Sequence, residues 1–176
     1  MDLQQYELPL PQVEVLNRVC AVVVIRFIKN RPHILLAQRL SGPDEGMYTL
    51  PGGKVESGET LLGCACREIR EEVGVGVDPD LMLQVKSIPI RRGLYNIFLY
   101  LVYWDEATNV QDPLRTEPET LEEWQWVSVY EAWLLSLEGR LPIGTFAGMW
   151  PELVIEVEEE RERMRRRELV EHGWPR

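Results

Sequence analysis

Histidine is scarce in this chain of 176 residues, with only His33 and His172 present. That scarcity leaves little from which to build a histidine-ligated zinc site or a serine-histidine-acid triad. The three cysteines, Cys20, Cys64 and Cys66, cannot all pair with one another, which fits a reducing compartment. Cys64 and Cys66 stand two apart on a helical projection, so they diverge and read as packing residues, not joint metal ligands. No run is long and apolar enough to span a membrane, and residues 1–17 lack the charged start and apolar stretch of a signal peptide. A cytoplasmic location with no membrane partner is therefore expected. Positive charge is in deficit, giving a formal net charge of −10, and an acidic surface must overcome phosphate repulsion before it can hold a nucleic acid. There is no internal repeat and no low-complexity segment.

What the chain has in excess is acid, and one stretch concentrates it. Gly53 to Val75, GKVESGETLLGCACREIREEVGV, places Glu56, Glu59, Glu68, Glu71 and Glu72 among glycines and small apolar residues. From Thr60 the stretch reads as a helix. Thr60 caps it, Leu62, Ala65, Cys66, Ile69 and Val73 recur as a buried stripe, and Gly74 ends it in a left-handed turn. Glu68, Glu71 and Glu72 fall at i, i+3 and i+4, so they share a face with neighbouring Cβ atoms about 5–6 Å apart. That face flanks the apolar stripe and so lines a cleft at the edge of the core. Two readings follow from the residues alone. One is a solvated acidic face; the other is an oxygen-ligand site for Mg²⁺ or Mn²⁺, because like charges this close need neutralising and no histidine or thiolate shares the face.

The spacing decides between them. Gly53, five residues, Glu59, seven residues, Arg67-Glu68-Ile69, one residue, Glu71-Glu72, one residue, Gly74-Val75 resembles the signature of the Nudix hydrolases without a mismatch. The flanking strands extend the likeness to about residues 18–135. The resemblance implies an α/β (α+β) fold, an α/β/α sandwich around a mixed β-sheet. The chain then divides into an irregular arm at 1–17, the Nudix domain at 18–150 and a charged helix at 151–176. A composition 45% hydrophobic suffices for one buried domain plus such an extension.

Taken in order, Arg18 to Ile28 reads as a buried strand, broken by Lys29-Asn30-Arg31-Pro32 and answered by a hairpin partner from His33 to Arg39. Met47 to Pro51 is a short strand that delivers Gly52 and Gly53, whose lack of side chains admits close backbone approach. Leu83–Ile90 and Leu94–Trp104 read as strands joined through Arg91-Arg92-Gly93, the second apolar on both faces as a central strand is. Glu119–Val129 leads into a further strand, and Tyr130–Glu138 into a helix closed by Gly139. From Pro151 a charged helix runs to about His172, with Glu159–Arg163 and Glu162–Arg166 at pairing distance and Leu153, Val157 and Met164 free to cover a partner in a homodimer.

The resemblance also implies chemistry: a Mg²⁺-dependent pyrophosphohydrolase that cleaves a nucleoside triphosphate, ordinary or oxidised, to monophosphate and pyrophosphate. By family precedent the Gly52 carbonyl, Glu68, Glu71 and Glu72 are metal ligands, and Glu68 or Glu71 is the general base. Glu59 and Arg67 form a structural salt bridge beside Gly53. A further ligand is expected before Trp124-x-Trp126-Val127, among Glu119, Glu122 and Glu123, with Glu122 preferred. Arg39, Thr49 and Lys54 are candidates for phosphate contact, and Trp150, in a Met-Trp-Pro segment, for stacking on a base; each reads equally as a surface or packing residue. The alternatives are an ADP-ribose, dinucleotide or nucleotide-sugar pyrophosphatase, and a non-catalytic nucleotide-sensing module.

Overall fold

The computed structural model describes residues 17–42, 44–90, 95–104 and 111–141, with Glu159, Glu162, Arg163 and Arg166 of the C-terminal segment. The N-terminal arm, the Arg91–Arg92 turn, Trp150 and the apolar residues of the charged helix lie outside the described residues. The four described C-terminal residues are helical and exposed, and Arg163 and Glu159 stand 3.5 Å apart in an i,i+4 pair.

A mixed sheet forms the middle layer. Its long strand β1 (Asn17–Ile28) turns back through Lys29 and Asn30, whose φ values of 50° and 59° make a tight two-residue hairpin. Strand β2 (Arg31–Gln38) therefore resumes two residues earlier than expected, with Pro32 opposite Phe27. On its other edge β1 runs parallel to β6 (Tyr95–Tyr103), and β5 (Leu83–Ile90) lies antiparallel beyond it with a bulge between Gln84 and Lys86. Strand β7 (Gln125–Ser128) pairs with the far edge of β2. It is shorter than expected, because the chain turns at 117–121 and Val129 already begins a helix.

Successive side chains of β1 point to opposite faces, and each face is covered by one helix. Cys20, Val22 and Val24 join Leu35, Tyr100, Val102 and Trp104 under α1 (Leu61–Glu68). Ala21, Val23 and Ile25 join Ile34, Leu36, Leu99 and Leu101 under α2 (Val129–Leu137). The result is the α/β/α sandwich. Ser128 and Glu131 cap α2 reciprocally, each side chain meeting the other's backbone N–H. No helix among the described residues is long and apolar enough to cross a membrane.

One feature of the sheet places the site. The β1–β2 hairpin is paired only near its turn, from Ile25↔Ile34 to Ile28↔Arg31, and its strands then part. Residues 47–54 enter the fork. Strand β3 (Tyr48–Thr49) pairs with β2, while β4 (Gly52–Lys54) pairs with β1 and Val22 N–H donates to Pro51 O at 2.9 Å. The paired glycines are thus held between two strands, beside the end of α1.

Candidate active site

Thr60 caps α1 as expected, its Oγ1 accepting the Gly63 N–H at 3.0 Å. The helix does not stay α-helical. After Glu68 it widens into a π turn over Ile69–Val73, closed by Gly74 at φ 77°. The buried stripe also differs from the expected one, losing Leu62 and Cys66 and gaining Cys64. Cys64, Ala65, Ile69 and Val73 are buried, whereas Leu62 and Cys66 are only half-buried. Cys64 meets Cys20 in the core, and burial pushes both thiols above their ordinary range. Their role is packing.

The acids occupy the seam between the α and π turns. Glu68 is 8% exposed and Glu72 9%. The Glu72 carboxylate accepts the Gly52 N–H at 2.7 Å. Glu68 lies against Gly53 so closely that a Cβ there would fall 2.3 Å from Glu68 Oε1. The two carboxylates therefore converge on the paired glycines. Glu71 does not join them; its side chain is 54% exposed and bonds to Arg67. Of the three acids expected to share one face, Glu68 and Glu72 form a buried pair and Glu71 lies exposed beside them.

Arg67 organises this arrangement. Its Nε and Nη2 reach the two oxygens of Glu59 at 2.9 and 3.1 Å, and Nη2 also donates to Lys54 O at 3.1 Å, tying the loop to the helix as expected. Its Nη1 further holds Glu68 at 2.8 Å and Glu71, its i+4 neighbour, at 3.0 Å. The guanidinium keeps the Glu59 carboxyl below the usual range.

Burial does the opposite to the inner pair. It raises Glu68 and pushes Glu72 up to about 8; the Gly52 N–H opposes the shift at Glu72, and the charge of Glu117 adds to it at both residues. Glu117 lies just upstream of the three acids, Glu119, Glu122 and Glu123, considered from the sequence. Glu122, the preferred choice, has its backbone N–H on Gln38 O at 2.9 Å. Glu117 stands instead at the start of a turn, accepting the Thr120 hydroxyl at 2.8 Å, in a loop stapled by Arg115 to Pro118 O and Leu121 O, each at 2.7 Å. The signal available was Arg115 and Thr120 flanking an acid just upstream of the window considered.

Arg39 closes the opposite side. It bridges to Leu121, its Nη2 donates to Thr49 Oγ1 at 3.4 Å, and its charge favours the ionised form of Glu72. Lys54 is exposed at the end of β4.

Among the described residues, no three acidic, histidine or cysteine side chains stand close enough together to form a complete metal cage. Arg67 and the Gly52 N–H hold the carboxylates in their present directions. The donor set nonetheless fits a hard divalent cation: two buried carboxylates, oxygen ligands only, and a glycine cradle that a side chain would fill. A pH dependence follows. The folded protein holds the Glu72 proton up to about 8, against 4.5 for an unburied glutamate, so between those limits it binds more protons than the unfolded chain. Stability of the metal-free protein should fall across that window, by an amount on the order of a few kcal/mol. Glu59, whose carboxyl is depressed, contributes with the opposite sign, its share being lost only under more acidic conditions. Melting curves with chelator and with Mg²⁺ should show a larger metal-induced rise at pH 8.5 than at pH 5.5, and an equal rise at both would contradict it.

Residues 17–144 match the NUDIX domain family. Over 81 residues the chain is 35% identical to the 8-oxo-dGDP phosphatase NUDT18 of Homo sapiens, covering 46% of this chain and 25% of that protein. Over 90 residues it is 39% identical to an ADP-ribose pyrophosphatase of Methanocaldococcus jannaschii, covering 51% of this chain and 48% of the relative. The chain thus spans between a quarter and a half of the length of these relatives. In fold it is similar to a MutT/nudix family protein from Enterococcus faecalis, with a TM-score of 0.58, 26% identity, and coverage of 69% of this chain and 47% of that one. With the domain matched along most of its length and the acidic helix set against the paired glycines, the chain belongs to the Nudix family of hydrolases.

Proposed function

We propose that this protein is a divalent-metal-dependent pyrophosphohydrolase acting on a nucleoside diphosphate joined to a further group, and within that class on a nucleoside triphosphate, giving monophosphate and pyrophosphate. The observation that carries this reading is the buried pair Glu68 and Glu72 turned onto Gly52 and Gly53. Glu68, Glu72 and the Gly52 carbonyl would hold Mg²⁺ or Mn²⁺, with Glu71 and Glu117 bordering the site. Bound there, the cation would neutralise the diphosphate and ease deprotonation of the attacking water.

The chain's own residues supply the rest. Arg39, steadied by Thr49, and Lys54 at the rim would bind outer phosphate oxygens. A glutamate accepts the water proton as the oxygen attacks phosphorus, and the phosphorus–oxygen bond to the leaving group breaks with the electron pair staying on that group. Glu68 suits this task better than Glu71, being buried against the glycines where Glu71 is exposed, while Arg67 bonds to both.

A second reading takes ADP-ribose or an oxidised nucleoside diphosphate as the substrate, and the names of the two relatives favour it. Purified protein incubated with Mg²⁺ and nucleoside triphosphates, oxidised purine nucleotides and ADP-ribose, with both products identified, separates the two. Monophosphate plus pyrophosphate supports the first reading. AMP plus ribose phosphate, or a monophosphate released from an oxidised diphosphate, supports the second. No turnover of any of them would leave a nucleotide-sensing module in place of an enzyme.

A further inference from the structure

The end of the motif helix is capped from outside by the loop that precedes β7. The last carbonyls of any helix lack intrahelical partners, and a π turn also gives up the regular bonding of an α turn. Here three successive carbonyls find donors on that one loop. The Thr116 hydroxyl donates to Glu71 O, the Trp124 indole N–H to Glu72 O at 2.8 Å, and the Leu114 N–H to Val73 O at 2.9 Å. Gly74 makes the approach possible: a Cβ there would come within 3.0 Å of Leu114 and 3.1 Å of Thr116. The same loop carries Glu117, whose charge falls on Glu68 and Glu72.

Two of these carbonyls, those of Glu71 and Glu72, belong to the peptides on either side of Glu72. Fixing those peptide planes fixes the direction of its Cα–Cβ bond, and so the distance from its carboxylate to Gly52. We propose that Thr116 and Trp124 are positioning residues: they hold the π turn in the register that keeps Glu72 on the glycine pair, and they lock to it the loop bearing Glu117. This rests on the reading of Glu68 and Glu72 as metal ligands. The ligands and the supports already described lie within Gly52–Val75, whereas this support comes from 45 and 52 residues downstream and makes one unit of two distant segments.

The test is Mn²⁺ binding to the full chain, stripped with chelator, followed by the electron paramagnetic resonance signal of free Mn²⁺. Trp124→Phe keeps the ring bulk and removes the donor, and Thr116→Val keeps the shape and removes the hydroxyl. Each should weaken Mn²⁺ binding by about 10–100-fold, the usual effect of losing an outer support of a ligand. Thr116→Ser, which restores the hydroxyl, should bind as the unmodified chain does. So should Trp126→Phe, whose parent ring packs edge-on against Trp104 at 6.1 Å and lies under Arg26. Should Trp124→Phe fail to fold, Thr116→Val set against Thr116→Ser decides. Unchanged Mn²⁺ affinity in Thr116→Val and Trp124→Phe overturns the proposal even if their melting temperatures fall. Failure of the unmodified chain to bind Mn²⁺ removes the metal-site reading, and this proposal with it.

Discussion

Glu72→Gln should lose metal-dependent turnover by about 10³-fold or more while the protein stays folded. The size follows from a cation's usual share of transition-state stabilisation, several kcal/mol, at about 1.36 kcal/mol per decade of rate. The fold survives because the amide oxygen can still accept the Gly52 N–H now held by the carboxylate. Burial has already pushed the Glu72 carboxyl to about 8, so the neutral amide removes an unfavourable charge from the pocket. Above pH 8 the metal-free variant should melt at or above the temperature of the unmodified chain, and Mg²⁺ should no longer raise that temperature. Turnover assays and melting curves on the same preparations separate lost chemistry from lost structure. Near-full activity in Glu72→Gln would refute the assignment of Glu72 to the metal.

The two glycines should fail in different ways when each is replaced by alanine. At Gly52, with φ at 151°, an added Cβ would fall 2.2 Å from the Cys20 carbonyl oxygen. That neighbour is the backbone of the central strand and has no room to give. Gly52→Ala should cost roughly 3 kcal/mol or more, or fail to fold. At Gly53 the atom in the way is Glu68 Oε1, at 2.3 Å, the end of a side chain that can swing aside by giving up its 2.8 Å bond to Arg67. Gly53→Ala should therefore fold within about 1 kcal/mol of the unmodified chain while losing about 10–100-fold in metal affinity, because its cost is a displaced carboxylate. Urea unfolding and Mn²⁺ titration on the two variants check this, and the opposite pattern would mean that the glycine pair has been misplaced.

Much of this was legible in the sequence because it depends on local pattern. The β-branched run from Val19 to Ile28, the Thr60 cap and Gly74 as terminator follow from residue type and spacing, and the Arg67–Glu59 pair from the resemblance of the motif. What escaped depends on register or on contact between distant segments. An α turn and a π turn differ by one residue in their bonding, and the spacing of Ile69 and Val73 suits either. In the α-helical part, Cys64 is buried where Cys66 was expected to be. Glu117 was not among the acids considered before the Trp124–Trp126 pair, and the chain reversal between Glu117 and Leu121 is not visible in that spacing. Arg67 was read as half of one salt bridge, and its hold on Glu68 depends on how the seam between the two helical turns is wound.

The fork between β1 and β2 bears on the order in which the protein comes into being. The hairpin is local and can close as soon as Gln38 is made, but β1 is not held on its other edge until β6 arrives, with Val22 opposite Tyr100. Long-range parallel pairing of this kind is slow to form. A nascent chain therefore carries its whole acidic motif, unburied and charged, well before it carries a pocket. The glutamates acquire their buried, proton-retaining character only after Tyr100 and then Trp124 have left the ribosome.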